Sequence, residues 1–276
     1  LCLPLSYCYA FVNQWLLARK FKIELIVTPG FKQPERFKDA MDHAHSSMLC
    51  LVGSQLQLLE LYFDNCTFEG ITRLHFGGGP FPQNRIDKIK KFFPLAQIYN
   101  NYGCTEAMPR LCIRRLEESD ESANIGKPLP GISMTTGNNG EILFNSPYGA
   151  VGVYDEKGFK KIKPEDFIES GDLGYKSDDG YWWIGGRTNH IFKRYGEKIA
   201  LPSLINTLSS VWISKAEFYR EKDHSGEAGY VLVISPRPNE LELRKILKSF
   251  RENFPRSHWP LRIESLIIFP LQINGK

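Results

Sequence analysis

The feature that most constrains this chain is the alternation of short apolar runs with segments of helical period from residue 1 to residue 107. LCLPL (1–5) is strand-like, FVNQWLLAR (11–19) is helix-like, and FKIELIVT (21–28) reads as a buried strand closed by Pro29-Gly30. PERFKDAMDHA reads as a helix entered through Pro34, and SQLQLLELYF as a helix with Ser54 as its cap. LHFGGGPFP (74–82) is a strand running into a glycine turn, and QNRIDKIKKFF places Ile86, Ile89, Phe92 and Phe93 on one helical face. Strand and helix in turn predict an α/β layered architecture.

The chemistry concentrates where the next run, Ala96 to Tyr99, opens into the polar stretch Asn100-Asn101-Tyr102-Gly103-Cys104-Thr105-Glu106. Tyr102 offers a flat face for a base, and Gly103 allows close backbone approach to a ligand. Thr105 can donate to a phosphoryl oxygen, and Glu106 can hold a hard cation such as Mg²⁺. A plain turn, with Thr and Glu opening a helix, accounts for the same residues. Two other nucleotide signatures are excluded. A GxGxxG frame begun at Gly77 puts its third glycine on Pro82, and five residues before Gly126-Lys127 or Gly275-Lys276 stand Glu121 and Pro270, where a phosphate loop requires Gly.

From Gly126 to Gly186 the pattern changes to short strands and turns: GKPLPG, the Asn138-Asn139-Gly140 turn before Glu141, SGDLGY, and Asp178-Asp179-Gly180 before Tyr181. Beyond Arg187 it changes again, to a strand (YVLVIS), an amphipathic helix (NELELRKILKSFRENF, with Leu243, Ile246, Leu247, Phe250 and Phe254 inward) and a strand (RIESLIIF). This predicts two domains, 1–188 and 189–276, divided in the segment Thr188-Asn189-His190.

Bulk properties exclude several classes. A chain of 276 residues with 42% hydrophobic and 24% charged residues reads as a soluble globular protein. Its net charge of +4 comes from interspersed Lys, Arg, Asp and Glu with no basic block, which argues against nucleic acid. No apolar run approaches the roughly eighteen residues of a membrane span. The six cysteines, Cys2, Cys8, Cys50, Cys66, Cys104 and Cys112, contain no CxxC pair and predict reduced thiols in the cytoplasm. The apolar start without Met and the abrupt INGK end suggest the rear part of a longer chain.

In order and spacing these pieces resemble the adenylate-forming superfamily of acyl-CoA synthetases, luciferases and peptide-synthetase adenylation domains. LPLSYCYAF is similar to its PLxHxxG segment, HFGGGPF to its GGxPL turn and NNYGCTE to its NxYGxTE motif. NIGKPLPG, NGEILF, ESGDLGY and GGRTNHIFKRYGEK follow in the family's order, and PLQINGK resembles its closing lysine motif. The family's phosphate loop lies upstream of the first of these segments. The implied fold is the rear part of the large α/β domain, with a small β-rich subdomain, followed by a small α+β lid.

The resemblance implies a ligase that joins a carboxylic acid to the α-phosphate of ATP, releases pyrophosphate and passes the acyl group to the thiol of coenzyme A or of a carrier-protein phosphopantetheine. It implies Tyr102 on adenine beside Asn101 and Gly103, Gly77, Gly78 and Gly79 lining the adenine and acyl pocket, and Asp172 on the ribose hydroxyls. Thr105 would meet the α-phosphate, Glu106 would hold Mg²⁺, Arg187 would hold the ribose and phosphate region, and Lys276 would bridge the acid and the α-phosphate. Lys193 and Gly196 belong to the face that a mobile lid presents for thiol transfer. Asn189 stands at the hinge where Asp is usual, Lys198 replaces an Arg, Ser203-Leu204-Ile205 replaces an acidic triplet, and Tyr7 and Ala10 stand for His and Gly. Residues 1–23 hold no acid to pair an ammonium, while Tyr7, Tyr9, Phe11 and Trp15 make an aromatic wall suited to an aryl or aliphatic acid, or to ordinary core packing. The competing expectation is a non-catalytic relative that binds a nucleotide or a partner, or one part of a split enzyme.

Overall fold

The computed structural model of the chain describes residues 1–79, 81, 83–118, 121, 123–156, 158–201, 204, 207–208, 211–212 and 215–267. The chain divides into two compact units, one covering Leu1–Gly185 and the other beginning at Gly186.

The first unit is built on one mixed sheet of nine strands. Three parallel strands form one end: β1 (Ser47–Val52), β2 (Ile71–Gly77) and β3 (Gln97–Tyr102). The sheet continues through β4 (Cys112–Arg115), β5 (Asn124–Pro128), β6 (Ser133–Thr136) and β7 (Glu141–Asn145). A separate hairpin pairs β8 (Gly152–Asp155) with β9 (Gly158–Lys161), and β10 (Ile168–Lys176) and β11 (Trp182–Arg187) return to the large sheet. The spatial order β1-β2-β3-β4-β5-β11-β10-β7-β6 makes the layered α/β half and the β-rich half one continuous surface.

The period of two along the strands decides what each face meets. Leu49, Leu51, Leu74, Phe76 and Ile98 point into the main core. Helices Pro34–Asp42, Leu56–Phe63 and Ile86–Phe92 cover that side with Phe37 and Met41, Leu59 and Phe63, and Ile89 and Phe92. Cys50 and Val52 point the other way, against Leu3 and Ala10. A second core, around Leu111, Ile142, Phe144 and Trp182, fills the β-rich half.

Four sequence expectations change. Residues 1–7 form no strand. FVNQWLLAR is helical as expected, but Phe11–Leu16 adopts a π-helical turn between α-helical Cys8–Ala10 and Leu17–Phe21. Residues 21–28 are neither strand nor buried: Phe21, Ile23, Ile26 and Val27 are 61%, 57%, 41% and 68% exposed. Apolar, β-prone residues become a strand only when a neighbour supplies the ladder. Here the segment makes two bonds to the chain's first residue, Leu1 N–H to the Ile26 carbonyl at 2.6 Å and Thr28 N–H to the Leu1 carbonyl at 3.0 Å. Ser54 is not the helix cap, because a 3₁₀ turn Gly53–Gln55 precedes the helix and the Gln55 side chain accepts from the Val52 N–H at 3.0 Å.

The second unit pairs β12 (Ile191–Arg194) with β13 (Glu197–Ala200). It sets β14 (Lys215–Lys222), β15 (Ala228–Ser235) and β16 (Arg262–Ser265) into a three-stranded sheet. Helix Glu240–Asn253 is held at its start by a reciprocal cap: Asn239 Oδ1 accepts from Glu242 N–H at 2.9 Å, and Glu242 Oε2 accepts from Asn239 N–H at 2.8 Å. Ile246 and Phe250 enter a core with Leu232, Ile234 and Tyr230, and Phe254 packs on it, while Leu243 and Leu247, also expected inward, are only half-buried and are not part of that core.

Two outcomes follow from this packing. Leu74, fully buried at the centre of β2, is expected to cost about 2–5 kcal/mol when truncated to Ala, read as a lower urea midpoint with an unchanged slope. The exposed apolar segment 21–28 is expected to make the chain associate as its concentration rises. Sedimentation velocity should show that association weakened in the double variant Ile23→Lys, Val27→Lys.

Candidate functional site

Val52 pairs with Gly77, and Phe76 with Asn100, so the parallel strands end together, and the glycine turn and the Tyr102–Glu106 loop both leave from that edge. The carboxyl edge of parallel strands is where open α/β sheets hold ligands. The strand β3 runs further than the sequence suggests, through Tyr102 rather than to Tyr99, because Asn101 and Tyr102 pair with Ile113 and Cys112 of β4.

At this edge the Tyr102 hydroxyl donates to Asp172 Oδ2 at 2.8 Å, across 70 residues of sequence. The ring packs in the second core. Burial, reinforced by the Asp172 carboxylate, pushes the phenol well above its ordinary value, so it stays a donor. Asp172 is itself buried, and a bulge aims it. Strand β10 pairs Glu169 with Leu143 and resumes with Leu173 opposite Glu141, so Ser170, Gly171 and Asp172 stand opposite Ile142 alone. Gly171 takes φ 75° there, and its N–H donates to Glu141 Oε1 at 2.9 Å. Asn139 Nδ2 steadies the other oxygen of Glu141 at 3.3 Å, and Asp172 N–H donates to Ser170 Oγ at 3.1 Å.

The glycines divide by what they face. A Cβ on Gly103 would lie 1.9 Å from the Pro109 carbonyl oxygen, so the close approach that Gly103 permits is to the chain's own backbone. A Cβ on Gly77 would meet the Tyr9 ring at 3.0 Å, Gly78 has φ 75°, and a Cβ on Gly79 would meet nothing within 4 Å. Asn101 is buried and ties β3 to β2: its Nδ2 donates to the Phe76 carbonyl at 2.8 Å and lies 3.3 Å from His75 Nδ1.

Thr105 and Glu106 open the 3₁₀ turn Thr105–Ala107 with exposed side chains, and Cys8 Sγ approaches Thr105 Oγ1 at 3.6 Å. The Glu106 carbonyl accepts from Ala150 N–H at 2.7 Å, which anchors the loop's backbone. Burial, with Glu106 beside it, pushes the Cys104 thiol up to about 12 and keeps it neutral. No cluster of three His, Cys, Asp or Glu exists among the described residues. A lone exposed Glu106 suits Mg²⁺, which takes one or two carboxylates and completes its shell with water and phosphate oxygens.

In the second unit, exposed Arg187 ends β11 and exposed Lys193 lies on β12. Gly196 at φ 81° and Tyr195 at φ 51° form the two-residue turn between Arg194 and Glu197, a geometry that favours glycine whatever the turn presents. Lys276, Ser203 and the side chains of Asn189 and Lys198 lie outside the described residues. Of the aromatic wall, Tyr9 lies on Gly77, while Phe11 and Trp15 stack on each other at 5.1 Å.

Sequence reasoning missed Glu141, which gives no sign beyond an acid opening a strand, and Arg110. The signal for Arg110 is a lone cation inside the apolar run Met108-Pro109-Arg110-Leu111-Cys112.

A family model described as AMP-binding enzyme matches residues 1–152. The D-alanine–D-alanyl carrier protein ligase of Streptococcus pneumoniae (strain 70585) is 25% identical over 254 residues, covering 81% of this chain and 49% of that protein. The indoleacetate–CoA ligase of Aromatoleum aromaticum is 22% identical over 292 residues, 99% of this chain and 56% of that protein. The chain thus spans about half the length of the curated relatives it matches. Among solved structures, the o-succinylbenzoate coenzyme A synthetase of Bacillus subtilis in complex with AMP superposes with a TM-score of 0.76 at 18% identity, covering 100% of this chain and 58% of its own. The anthranilate CoA ligase AuaEII with anthranoyl-AMP gives 0.73 at 16%, covering 100% and 57%. With the fold shared across the whole chain and the family model matched over more than half of it, this chain belongs to the AMP-binding enzyme family.

Proposed function

We propose that this chain carries the nucleotide-facing and acid-facing part of an acyl-adenylate-forming ligase. The observation that carries the reading is the meeting of Tyr102 with Asp172 at the carboxyl edge of β1–β3, beside the open glycine turn and the Thr105–Glu106 loop. Coming from distant parts of the sequence, they converge where a nucleotide would lie.

In this reading Tyr102 flanks adenine, and Asp172, held by the Tyr102 hydroxyl and aimed by the bulge, accepts from the ribose hydroxyls, two donors meeting one carboxylate. Thr105 donates to the α-phosphoryl oxygen. Glu106 would hold Mg²⁺, which would offset the charge on the phosphates. A carboxylate oxygen of the acid attacks the α-phosphorus, the bond to pyrophosphate breaks, and a thiol sulfur then displaces AMP from the acyl carbon. Positioning and placement of positive charge do most of this work. Lys276 bridges the acid and the α-phosphate, Arg187 holds the ribose and phosphate region, and the domain from residue 189 acts as a mobile lid that presents Lys193 and Gly196 for thiol transfer.

The acid is a non-amino-acid carboxylate, since residues 1–23 contain no Asp or Glu to pair an ammonium. The indoleacetate and anthranilate ligases among the relatives support an aryl acid. The acceptor is coenzyme A or a carrier-protein phosphopantetheine. Six free cysteines support a reducing, cytoplasmic setting, and no helix among the described residues is long and apolar enough to cross a membrane.

Isothermal titration with AMP tests the nucleotide reading. Asp172→Asn is expected to lower AMP affinity about tenfold to a hundredfold, the weight of a hydrogen bond to a charged group. Tyr102→Phe removes the donor that holds Asp172 and is expected to cost about 1.5–3 kcal/mol of stability. Pyrophosphate exchange with ATP, Mg²⁺ and a panel of aryl and fatty acids tests the chemistry: exchange lost in Lys276→Ala supports the ligase. AMP binding without exchange by any acid would favour a nucleotide-binding relative without turnover.

A further inference from the structure

The face of β1–β3 turned away from the main core is mixed: Val52 packs on Leu3 and Ala10, while His75 and Asn101 are buried polar side chains. Cys50, His75 and Asn101 project from it, Tyr9 covers it from the helix at the chain's start, and Arg110 reaches it from the segment after the Tyr102–Glu106 loop. Tyr9 lies on Gly77 and donates its hydroxyl to the His75 carbonyl at 3.3 Å, so the cluster borders the glycine turn of the candidate site.

Arg110 is the anomaly in this cluster. Arg110 is half-buried, its Nε is shut off from solvent with no hydrogen-bond partner, and no carboxylate among the described residues pairs with it. The titratable groups that act on it are the Tyr9 hydroxyl and the Cys50 thiol. Neither carries charge near neutral pH: burial pushes Tyr9 well above its ordinary value and Cys50 up to about 11. His75, lowered to about 4 by burial and by Arg110 itself, is neutral as well. A half-buried guanidinium with only neutral groups against it leaves its donors free for an anionic partner.

We infer that Arg110 forms the floor of the acyl subsite and binds a second acidic group on the acid being activated, so that the preferred substrates are dicarboxylic acids or acids with another anionic substituent. This deepens the ligase reading above and rests on it. The first carboxylate is left for the α-phosphate at the open end of the turn, near Thr105, while the second reaches inward to the guanidinium, whose planar fork suits a carboxylate. A monocarboxylic acid of the same skeleton would leave the guanidinium unpaired.

The test is calorimetric binding, with AMP present, of matched pairs: adipic against hexanoic acid and phthalic against benzoic acid. The parent chain is expected to bind the diacid about tenfold to a hundredfold more tightly than the monoacid. Arg110→Met is expected to erase that ratio, and Arg110→Lys, keeping the charge without the fork, to retain part of it. The melting temperature of the methionine variant checks that it folds. If that variant fails to fold, the parent's own ratio and the lysine variant decide the matter. No diacid preference in the parent, or the same preference in Arg110→Met, overturns the inference while AMP binding leaves the nucleotide reading standing. A tenfold loss of ATP affinity in Arg110→Met with the diacid ratio intact assigns the guanidinium to phosphate and overturns it too. Failure to bind AMP removes the ligase reading and this inference with it.

Discussion

The hydrogen bond from Tyr102 to Asp172 is the interaction on which the site depends. It fastens the loop that follows the parallel strands to a bulge in an antiparallel strand, two parts of the chain brought together only by the continuity of one nine-stranded sheet. Both partners are buried, and in a low-dielectric setting a charge-assisted bond of this kind is strong to keep and costly to lose. Glu141 supports it from behind by holding the Gly171 N–H. The Tyr102–Asp172 pair is therefore held by the scaffold itself.

The same sheet explains why chemistry collects on one side. The main core takes Leu49 and Leu51 from β1, Leu74 and Phe76 from β2, and Ile98 from β3. The opposite face carries a thiol, an imidazole and an amide, with a phenol and a guanidinium packed over it. Parallel strands buried on both faces usually read as continuous apolar runs. His75 and Asn101 depart from that pattern and meet each other, with Asn101 Nδ2 3.3 Å from His75 Nδ1.

Much of this was legible in the sequence, and what was not has a physical pattern. Period and turn chemistry give the helices from Pro34 onward and the strands that hold Leu74 and Ile98, whereas β1, with Leu49 and Leu51, is not among the sequence expectations. The motif residues Tyr102, Thr105, Glu106 and Asp172 also stand out as residue types. The failures lie where structure depends on a neighbour. Residues 21–28 carry every local sign of a strand and lack a ladder partner among the described residues, while Gly103 and Gly196 look like ligand glycines and are required by Pro109 and by a hairpin turn. Glu141 gives no local sign because it acts through a bulge, and Arg110 shows only as a lone cation in an apolar run, since the lack of a counter-charge is not encoded in spacing.

The central claim is that the edge formed by the glycine turn, the Tyr102–Glu106 loop and the Ser170–Asp172 bulge receives the nucleotide. Hydrogen–deuterium exchange with and without saturating AMP addresses it directly. The account predicts slowed exchange in peptides covering residues 77–79, 101–107 and 170–173, with the helix Pro34–Asp42 unchanged. Protection confined to other segments of the first unit, or none in these three under conditions where AMP is bound, would contradict it.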